Sequence, residues 1–210
     1  MPNRFDNLDC MIGMAEYEDN HFDLAIVDPP YGLDDWNMRG SNKKLYDKEY
    51  MQLEKIQDWE SNFDYTNYFL ELFRISKNQI IWGGNHFLDY LGKTKQMIVW
   101  DKRIRGMHFN DCEIAWCSNI KEACRIFEHT ANQLDRIHPT QKPIALYKWL
   151  LTKYAKQGDL ILDTHVGSAS SLIACEDMGF EYVGFEIDED YYEAAQKRLT
   201  QFRSQLKLAI

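Results

Sequence analysis

Short apolar runs alternate along the chain with longer segments whose apolar residues recur at helical spacing. The short runs are rich in β-branched and aromatic residues, and they predict strands over residues 24–27, 79–82, 96–100, 113–117, 160–162 and 182–187, with a weaker one over 125–129. Apolar positions three and four residues apart predict helices over 48–59, 65–76, 143–156, 170–178 and 188–202. This alternation favours an α/β fold, in which a doubly wound, mostly parallel sheet is covered by helices on both faces.

The length and composition are those of a single domain spanning residues 1–210. Hydrophobic residues make up 45% of the chain and aromatic residues 14%, which is typical of a globular protein. Residues 32–62 are polar and lack a strand pattern, so we expect a mobile loop or lid there. We expect neither a membrane span nor a secretion signal, because no long apolar run and no basic-then-apolar start is seen. The five scattered cysteines are typical of a reducing, cytoplasmic location.

The net charge of −9 argues mildly against a nucleic-acid partner. A small enzyme needs only a local basic footprint, however, and two groups of basic residues could provide one. They are Lys102, Arg103 and Arg105, and Lys43, Lys44 and Lys48. Taken alone, each group is more simply interpreted as a solvated surface.

The tetrapeptide Asp28-Pro29-Pro30-Tyr31 is the most informative feature of the sequence. It follows the apolar run 24–27, and so sets a carboxylate, two rigid prolines and an aromatic ring at the carboxyl end of a buried strand. In open α/β sheets, ligands bind at that end of the strands. A given tetrapeptide of this composition should occur by chance in a chain this long on the order of one time in a thousand. These groups suit methyl transfer to the exocyclic amine of a nucleobase.

A second strand–turn–helix unit lies at residues 160–170. Asp163 ends its strand, Gly167 lies in the turn and Ser170 begins the helix, so that backbone could approach a ligand closely. The unit matches neither a phosphate-cradling loop nor a full Gly-x-Gly-x-x-Gly fingerprint. Roughly 20 residues later, Glu186 ends the next strand, a spacing that suits a carboxylate accepting both hydroxyls of a ribose. Alone, the unit fits ordinary surface acids almost as well, but the tetrapeptide at Asp28 favours a nucleoside-type cofactor.

Taken together, these motifs resemble those of DNA amino-methyltransferases that depend on S-adenosylmethionine, of the permuted class in which the catalytic motif precedes the cofactor motif. The resemblance covers nearly the whole chain and implies a Rossmann-like methyltransferase fold. Besides the tetrapeptide, it rests on Asn7-Leu8-Asp9-Cys10, His138-Pro139-Thr140-Gln141-Lys142-Pro143, residues 163–170 and Glu186-Ile187-Asp188. Residues 80–87 and 99–102 are similar to short adenine methyltransferases common in phages and prophages.

The resemblance implies a catalytic role for the tetrapeptide Asp28, Pro29, Pro30 and Tyr31. The Asp28 carboxylate and the Pro29 carbonyl would accept hydrogen bonds from the target amine, and the fixed φ of proline presets the direction of that carbonyl. Tyr31 would stack on the base once it is flipped from the duplex. No metal is required. The scattered residues His108, Cys112, Cys117, Cys124 and His129 lack zinc spacing, and buried thiols explain the cysteines better.

The resemblance also implies a set of cofactor-binding residues. Glu186 would bind the ribose hydroxyls, and Asp163 would lie near the methionine amine. Thr164 also belongs to this set, and Gly167 and Ser168 would allow close approach of the methionine moiety. Thr140 and Lys142 would face the methionine carboxylate. Asp9 or the Cys10 backbone would lie beside the adenine. Two alternatives stay open: Lys142 as a surface lysine after a turn, and Asp9 as a helix cap. The cofactor loop departs from the family pattern, since Thr164 and His165 replace Pro and Phe, and Ala169 replaces the second Gly.

The resemblance implies DNA as the partner, although only residues 32–62 and 103–135 could contact it specifically. We predict that Trp36 packs over the flipped base and that Lys102, Arg103 and Arg105, near His108, contact phosphates. A homodimer or a specificity partner could supply further contacts. The predicted reaction is methyl transfer to N6 of adenine in DNA, in a restriction-modification or phage context. N4 of cytosine is the alternative target, and an inactive module that binds cofactor or DNA is the alternative class.

Overall fold

In the computed structural model, residues 3–31, 63–106, 110–118, 123–130, 136–138 and 140–208 are described. They form an eight-stranded sheet, with the strands β1 Arg4–Asn7, β2 Leu24–Val27, β3 Gln79–Trp82, β4 Met97–Asp101, β5 Cys112–Cys117, β6 Arg125–Glu128, β7 Leu160–Asp163 and β8 Glu181–Glu186. The described helices are α1 Cys10–Met14, α2 Tyr65–Ile75, α3 Ile144–Tyr154, α4 Ser170–Met178 and α5 Glu189–Leu208.

The strand order is β1-β8-β7-β2-β3-β5-β4-β6. Strand β5 is antiparallel to both of its neighbours, and every other neighbouring pair is parallel. The predicted doubly wound, mostly parallel α/β sheet is therefore confirmed. Most predicted boundaries agree with the structure to within two residues, whereas α5 runs six residues further than predicted, to Leu208. The predicted helix 48–59 and the predicted lid 32–62 lie outside the described residues.

Apolar side chains cover both faces of the sheet. Alternate residues of β2 belong to different hydrophobic clusters: Leu24 and Ile26 pack in one, and Ala25 and Val27 in the other. Helices α3, α4 and α5 contribute to the first cluster, and α1 and α2 to the second. Because each central strand is buried on both faces, it appears in the sequence as a continuous apolar run. Among the described helices, none combines the length and apolar character that a bilayer span requires.

The topology places several chemically active residues at one edge of the sheet. Strands β2 and β7 are neighbours, and the chain leaves them in opposite directions, β7 toward β8 and β2 toward β3. That junction is a topological switch point, where ligands bind beyond the carboxyl ends of the strands in open α/β sheets. Asp28 follows β2 there and Asp163 ends β7. Antiparallel β5 begins at this same edge, which brings Glu113 to it.

Candidate active site

Both oxygens of the Asp28 carboxylate accept hydrogen bonds at the tip of β2. The Tyr31 hydroxyl donates to Oδ1 at 2.5 Å, and the Lys142 ammonium donates to Oδ2. The Asp28 side chain is only 15% exposed, so a group that reaches it must enter the protein. The carboxylate is thereby held in one orientation by its own tetrapeptide and by the segment before α3.

The Tyr31 ring is held by the turn that follows β3. It stacks on His86 with ring centroids 5.0 Å apart and an angle of 11° between the planes, and Phe87 meets it edge-on. Gly83 lies against the ring in a left-handed conformation, with φ of +67°, and a Cβ there would lie 2.2 Å from a ring carbon of Tyr31. Burial raises the pKa of Tyr31 well above its usual value, so the phenol stays protonated and donates to Asp28.

Lys142 joins Asp28 to a second buried carboxylate. Its side chain is 1% exposed, and its ammonium lies 3.1 Å from Oε2 of Glu113. The other oxygen of Glu113 lies 2.7 Å from the ammonium of Lys102. Burial opposes the charge of Lys142, but Asp28 and Glu113 raise its pKa above the ordinary lysine value. Burial likewise opposes the charge of Glu113, and the two lysines lower its pKa.

The surface alternative for Lys142 is wrong, because the residue is among the most buried charged groups of the protein. Its predicted contact with a cofactor carboxylate stays a prediction; the ammonium binds the two protein carboxylates. Thr140, predicted for the same role, is exposed and pairs with Nδ1 of His138 at 3.1 Å.

Two buried carboxyl groups define the cofactor side of the edge. Glu186, at the end of β8, accepts hydrogen bonds from the backbone N–H groups of Gly167 at 2.8 Å and Asp188 at 3.0 Å. Asp163 accepts from the His165 backbone N–H and from the Ser171 hydroxyl. Burial raises the pKa of Glu186 and raises that of Asp163 to about 7.

The cofactor loop between β7 and α4 is held from several sides. Gly167 has φ of +53°, and a Cβ there would lie 3.6 Å from the ring of His138. The Ser168 hydroxyl is buried and pairs with that of Ser170 at 3.1 Å. From α5, the Arg198 guanidinium donates to the Ser168 carbonyl at 2.7 Å and to the Ser170 hydroxyl at 2.9 Å. The loop is therefore ordered by contacts within the protein.

The three residues at which the loop departs from the family pattern are each accommodated. Thr164 pairs with the Tyr68 hydroxyl at 2.7 Å and with Nδ1 of His165 at 2.9 Å. Burial lowers the pKa of His165 to about 3, so its ring is neutral at neutral pH, and it packs against the rings of Phe63 and Tyr68. Ala169 is fully buried with φ of +60°, the left-handed conformation that glycine adopts without strain.

The residues after β1 lie next to the end of β8, where the Leu8 backbone N–H donates to the Glu186 carbonyl at 3.0 Å. The Asp9 carboxylate accepts a hydrogen bond from the Met11 backbone N–H at 2.7 Å, so Asp9 caps α1. This agrees with the helix-cap alternative and leaves its predicted place beside the cofactor adenine a prediction. Cys10 is buried, with Sγ 3.9 Å from Nε2 of His165, and burial raises its pKa to about 12.

The predicted DNA-contacting residues form ion pairs within the protein. Lys102 binds Glu113, Arg103 lies 3.0 Å from Glu128, and Arg105 lies 2.5 Å from Asp101. Trp36 and His108 lie outside the described residues, as does part of region 103–135. Among the residues that the structure describes, no group of three or more His, Cys, Asp or Glu side chains could hold a metal ion.

Sequence reasoning missed Glu113, Tyr68 and Arg198. Glu113 gives the only usable signal, since it is a charged residue within an apolar strand run. Tyr68 and Arg198 lie on helices α2 and α5, where aromatic and basic residues are ordinary.

The chain is similar to known DNA methyltransferases. Residues 102–197 match a family model described as DNA methylase, for N6 and N4 methylation. This match and those to curated relatives confirm the predicted resemblance to DNA amino-methyltransferases.

Among the relatives, the Type II methyltransferase M.HpaI from Haemophilus parainfluenzae is 25% identical over 89% of this chain and 70% of its own length. The crystal structure of the M1.HpyAVI–SAM complex superimposes with a TM-score of 0.62 at 19% identity, covering 93% of this chain and 98% of that one. The PvuII DNA methyltransferase, described as cytosine-N4-specific, superimposes with a TM-score of 0.61 at 12% identity, covering 98% of this chain and 92% of that one. At these identities the structural likeness confirms the fold alone, a Rossmann-like α/β sheet.

Proposed function

We propose that this protein transfers a methyl group from S-adenosylmethionine to the N6 amine of a flipped adenine in DNA. One observation carries the proposal. The tetrapeptide Asp28-Pro29-Pro30-Tyr31 follows β2, the loop that begins at Asp163 follows β7, and these two strands are neighbours at the switch point. An acceptor for an amine and a loop suited to a nucleoside cofactor therefore lie side by side. The DNA methylase match, the relative M.HpaI and the SAM complex of M1.HpyAVI support the class and the cofactor.

The residues on the cofactor side fit S-adenosylmethionine. Glu186 and Asp163 are buried carboxyl groups at the ends of adjacent strands, suited to ribose hydroxyls and to the methionine amine. Gly167 has no side chain to obstruct a ligand that approaches the loop. When bound, S-adenosylmethionine supplies an electrophilic methyl group on a positively charged sulfur.

The tetrapeptide prepares the amine for attack. An exocyclic amine of adenine is a poor nucleophile because its lone pair is delocalised into the ring. Hydrogen bonds from its two N–H groups to the Asp28 carboxylate and the Pro29 carbonyl hold the nitrogen toward a tetrahedral geometry. Held in this way, the amine would attack the methyl group that bound S-adenosylmethionine would supply, leaving S-adenosylhomocysteine, and the methylated amine would release a proton. Positioning supplies most of the rate, so Asp28 acts as an acceptor rather than a strong base.

Access to Asp28 requires that the base leave the duplex. A carboxylate that is 15% exposed and closed in by Tyr31 and Lys142 is out of reach of a stacked base. The Tyr31 ring, held by Gly83 and His86, provides an aromatic surface for stacking a flipped base. Asp rather than Ser at the first position of the tetrapeptide favours adenine over cytosine as the target.

Arg103 and Arg105 remain the best candidates for phosphate contacts. Their side chains are 63% and 60% exposed, and exposed ion pairs contribute only about 1 kcal/mol or less, so phosphates can replace their partners. We expect the double substitution Arg103→Ala and Arg105→Ala to weaken DNA binding. The slope of the logarithm of the binding constant against the logarithm of the salt concentration should fall by up to the amount that about two phosphate contacts contribute. Binding titrations between low and high salt measure this effect.

A matched control removes two ion-paired lysines from other parts of the surface. Lys77 pairs with Asp23 and Lys148 with Asp177. Lys77→Ala with Lys148→Ala should leave the salt dependence unchanged. A slope unchanged in the arginine variant would remove these two residues from the DNA interface.

The proposed function is tested by incubating the purified protein with labelled S-adenosylmethionine and unmethylated DNA of mixed sequence. Mass spectrometry of the digested nucleosides should show N6-methyl-2′-deoxyadenosine, and Asp28→Ala should abolish it. N4-methylcytosine instead would keep the mechanism and overturn the choice of base. Cofactor binding without any methylated base would favour a binding module or an enzyme that needs a partner subunit.

A further inference from the structure

We propose that Glu113, itself held by Lys102, is a positioning residue that shares the Lys142 ammonium with Asp28 and so fixes that ammonium, and with it the catalytic carboxylate, in place. The inference rests on the proposed function, because it assigns a role to residues around the amine acceptor. Its test includes a measurement that does not depend on methyl transfer.

The four side chains form a row of alternating charge. Asp28 contacts Lys142, Lys142 lies 3.1 Å from Glu113, and Glu113 lies 2.7 Å from Lys102. All four are largely withdrawn from solvent, with side-chain exposures of 15%, 1%, 21% and 15% along the row. They come from four separate segments: the turn after β2, the segment before α3, strand β5 and the turn after β4.

The charges of the row balance, and each member depends on its neighbours. Two anions and two cations sum to zero, so the buried group carries no net charge. Without the Lys142 ammonium, the carboxylates of Asp28 and Glu113 would lie near one another with no cation between them. Two buried carboxylates in that arrangement do not both stay ionised near neutral pH, because each disfavours the charge of the other. The Lys142 ammonium is therefore what allows the two carboxylates to lie side by side.

The other titratable groups that face this row do not provide the missing cation. Tyr31, Tyr68 and Tyr147 are buried phenols with pKa values raised well above the usual value, so they stay neutral. Burial lowers the pKa of His138 to about 4, which leaves its ring uncharged near neutral pH. Asp163, with its pKa raised to about 7, also interacts with Asp28, and it is present in every variant compared below.

The experiment compares four proteins: wild type, Lys142→Met, Glu113→Gln, and the double variant. Single-turnover methylation is measured at saturating DNA and cofactor from pH 5.5 to 9. In Lys142→Met we expect the rate at pH 5.5 to be about tenfold or more below the rate at pH 9. The pair of carboxylates Asp28 and Glu113 then binds one proton, and each pH unit below the apparent pKa of the pair lowers the rate about tenfold. In the double variant the carboxylate of Glu113 is absent, so the fall in rate at low pH should be smaller. Below pH 7 the double variant should therefore methylate DNA faster than Lys142→Met.

The expected result is specific to charge sharing. Glu113→Gln alone should lower the rate constant with little change in the concentration of DNA needed for half-maximal rate, and Lys102→Met should act in the same direction. Glu71→Gln removes a carboxylate from the Glu71–Arg74 ion pair, outside this row, and should leave the pH profile as in the wild type. A double variant no faster than Lys142→Met at any pH would overturn the proposal.

Urea unfolding of the same four proteins tests the row without reference to catalysis. The stability of Lys142→Met should fall as the pH rises from about 5 to 8, because the crowded carboxylates must then ionise in the folded state. Replacing Glu113 as well should remove most of that fall. Parallel stability curves for the two variants would contradict charge sharing, whereas absence of methylation by the wild type with the expected curves would reject only the proposed function. Lys142→Arg, which keeps the cation, should retain the wild-type slope.

Discussion

At the scale of single residues, a glycine fixes the position of the Tyr31 ring. Gly83→Ala should lower the methylation rate at least tenfold, because the new Cβ would lie 2.2 Å from the ring and displace it from the site. The left-handed φ of +67° adds backbone strain of about 1–2 kcal/mol. Cofactor affinity should change little, since Gly83 lies on the catalytic side of the switch point. Rate measurements together with calorimetric titration of the cofactor separate the two effects.

Gly179 provides the matched control for that substitution. It ends α4 with φ of +73°, and the nearest atom to an added Cβ is the side-chain amide of Gln157 at 3.5 Å. Gly179→Ala therefore introduces similar backbone strain without a collision, and it should reduce stability while leaving the rate unchanged. Equal losses of rate in the two variants would show that strain alone, rather than the place of Tyr31, limits the reaction.

At the scale of elements, helix α5 holds the cofactor loop through Arg198. Its guanidinium donates to the Ser168 carbonyl and to the Ser170 hydroxyl. Arg198→Met keeps much of the apolar stem but removes these bonds, and charged hydrogen bonds are worth about 1.5–3 kcal/mol. We expect cofactor affinity to fall roughly tenfold. Without these bonds the loop must become ordered when the cofactor binds, and the free energy that this ordering requires reduces the free energy of binding. Equilibrium dialysis with the labelled cofactor measures this change.

Arg203 on the same helix gives a control with a different partner. It binds the Glu176 carboxylate of α4, which does not belong to the cofactor loop. Arg203→Met should therefore reduce the unfolding free energy without weakening cofactor binding. If both variants lost affinity equally, the cause would be general loosening of α5 rather than the loop contact.

Most elements could be predicted from the sequence because their patterns are local. The apolar runs that became β2, β3 and β7 are buried on both faces, so their composition alone marks them as central strands. Strand β1 and helix α1 are short and only partly apolar, so periodicity gave no prediction for them.

From the rules for parallel sheets alone, without the resemblance, only the site residues at strand ends could be placed together. Asp28, Asp163 and Glu186 each end a parallel strand, and the rule for such sheets places them together. Glu113 begins an antiparallel strand, and its pairing with Lys142 joins residues 29 positions apart. Such a contact depends on strand order and direction, which a local pattern does not determine.

For the molecule as a whole, the carboxyl groups on the two sides of the switch point differ in the charge of the groups that bind them. On the catalytic side, lysine ammonium groups bind Asp28 and Glu113 and lower the pKa of Glu113. On the cofactor side, Asp163 and Glu186 are held by neutral donors, and burial raises their pKa values. A cationic amine is thus expected to bind Asp163, to which the described residues donate only from a backbone N–H and a hydroxyl.

This difference predicts opposite effects of pH on stability and on cofactor binding. The pKa of Asp163 rises from 3.8 to about 7 on folding, so the folded state binds the proton more tightly, and Asp163 reduces stability as the pH rises through that interval. In Asp163→Asn this contribution disappears, so the variant should gain stability relative to the wild type between about pH 4 and 7, as measured by urea unfolding. Asp159→Asn, which alters a carboxylate in the turn before β7, should show no such gain.

Cofactor binding should follow the reverse course, because the ionised form of Asp163 is the one that attracts an amine. Affinity of the wild type for S-adenosylmethionine should rise as the pH approaches 7 and then level off, whereas Asp163→Asn should bind weakly at every pH. A stability gain in that variant without any change in the pH dependence of binding would leave Asp163 as a buried acid with no contact to the cofactor. The same proton would then govern folding alone, and the partner of the methionine amine would lie elsewhere on the cofactor loop.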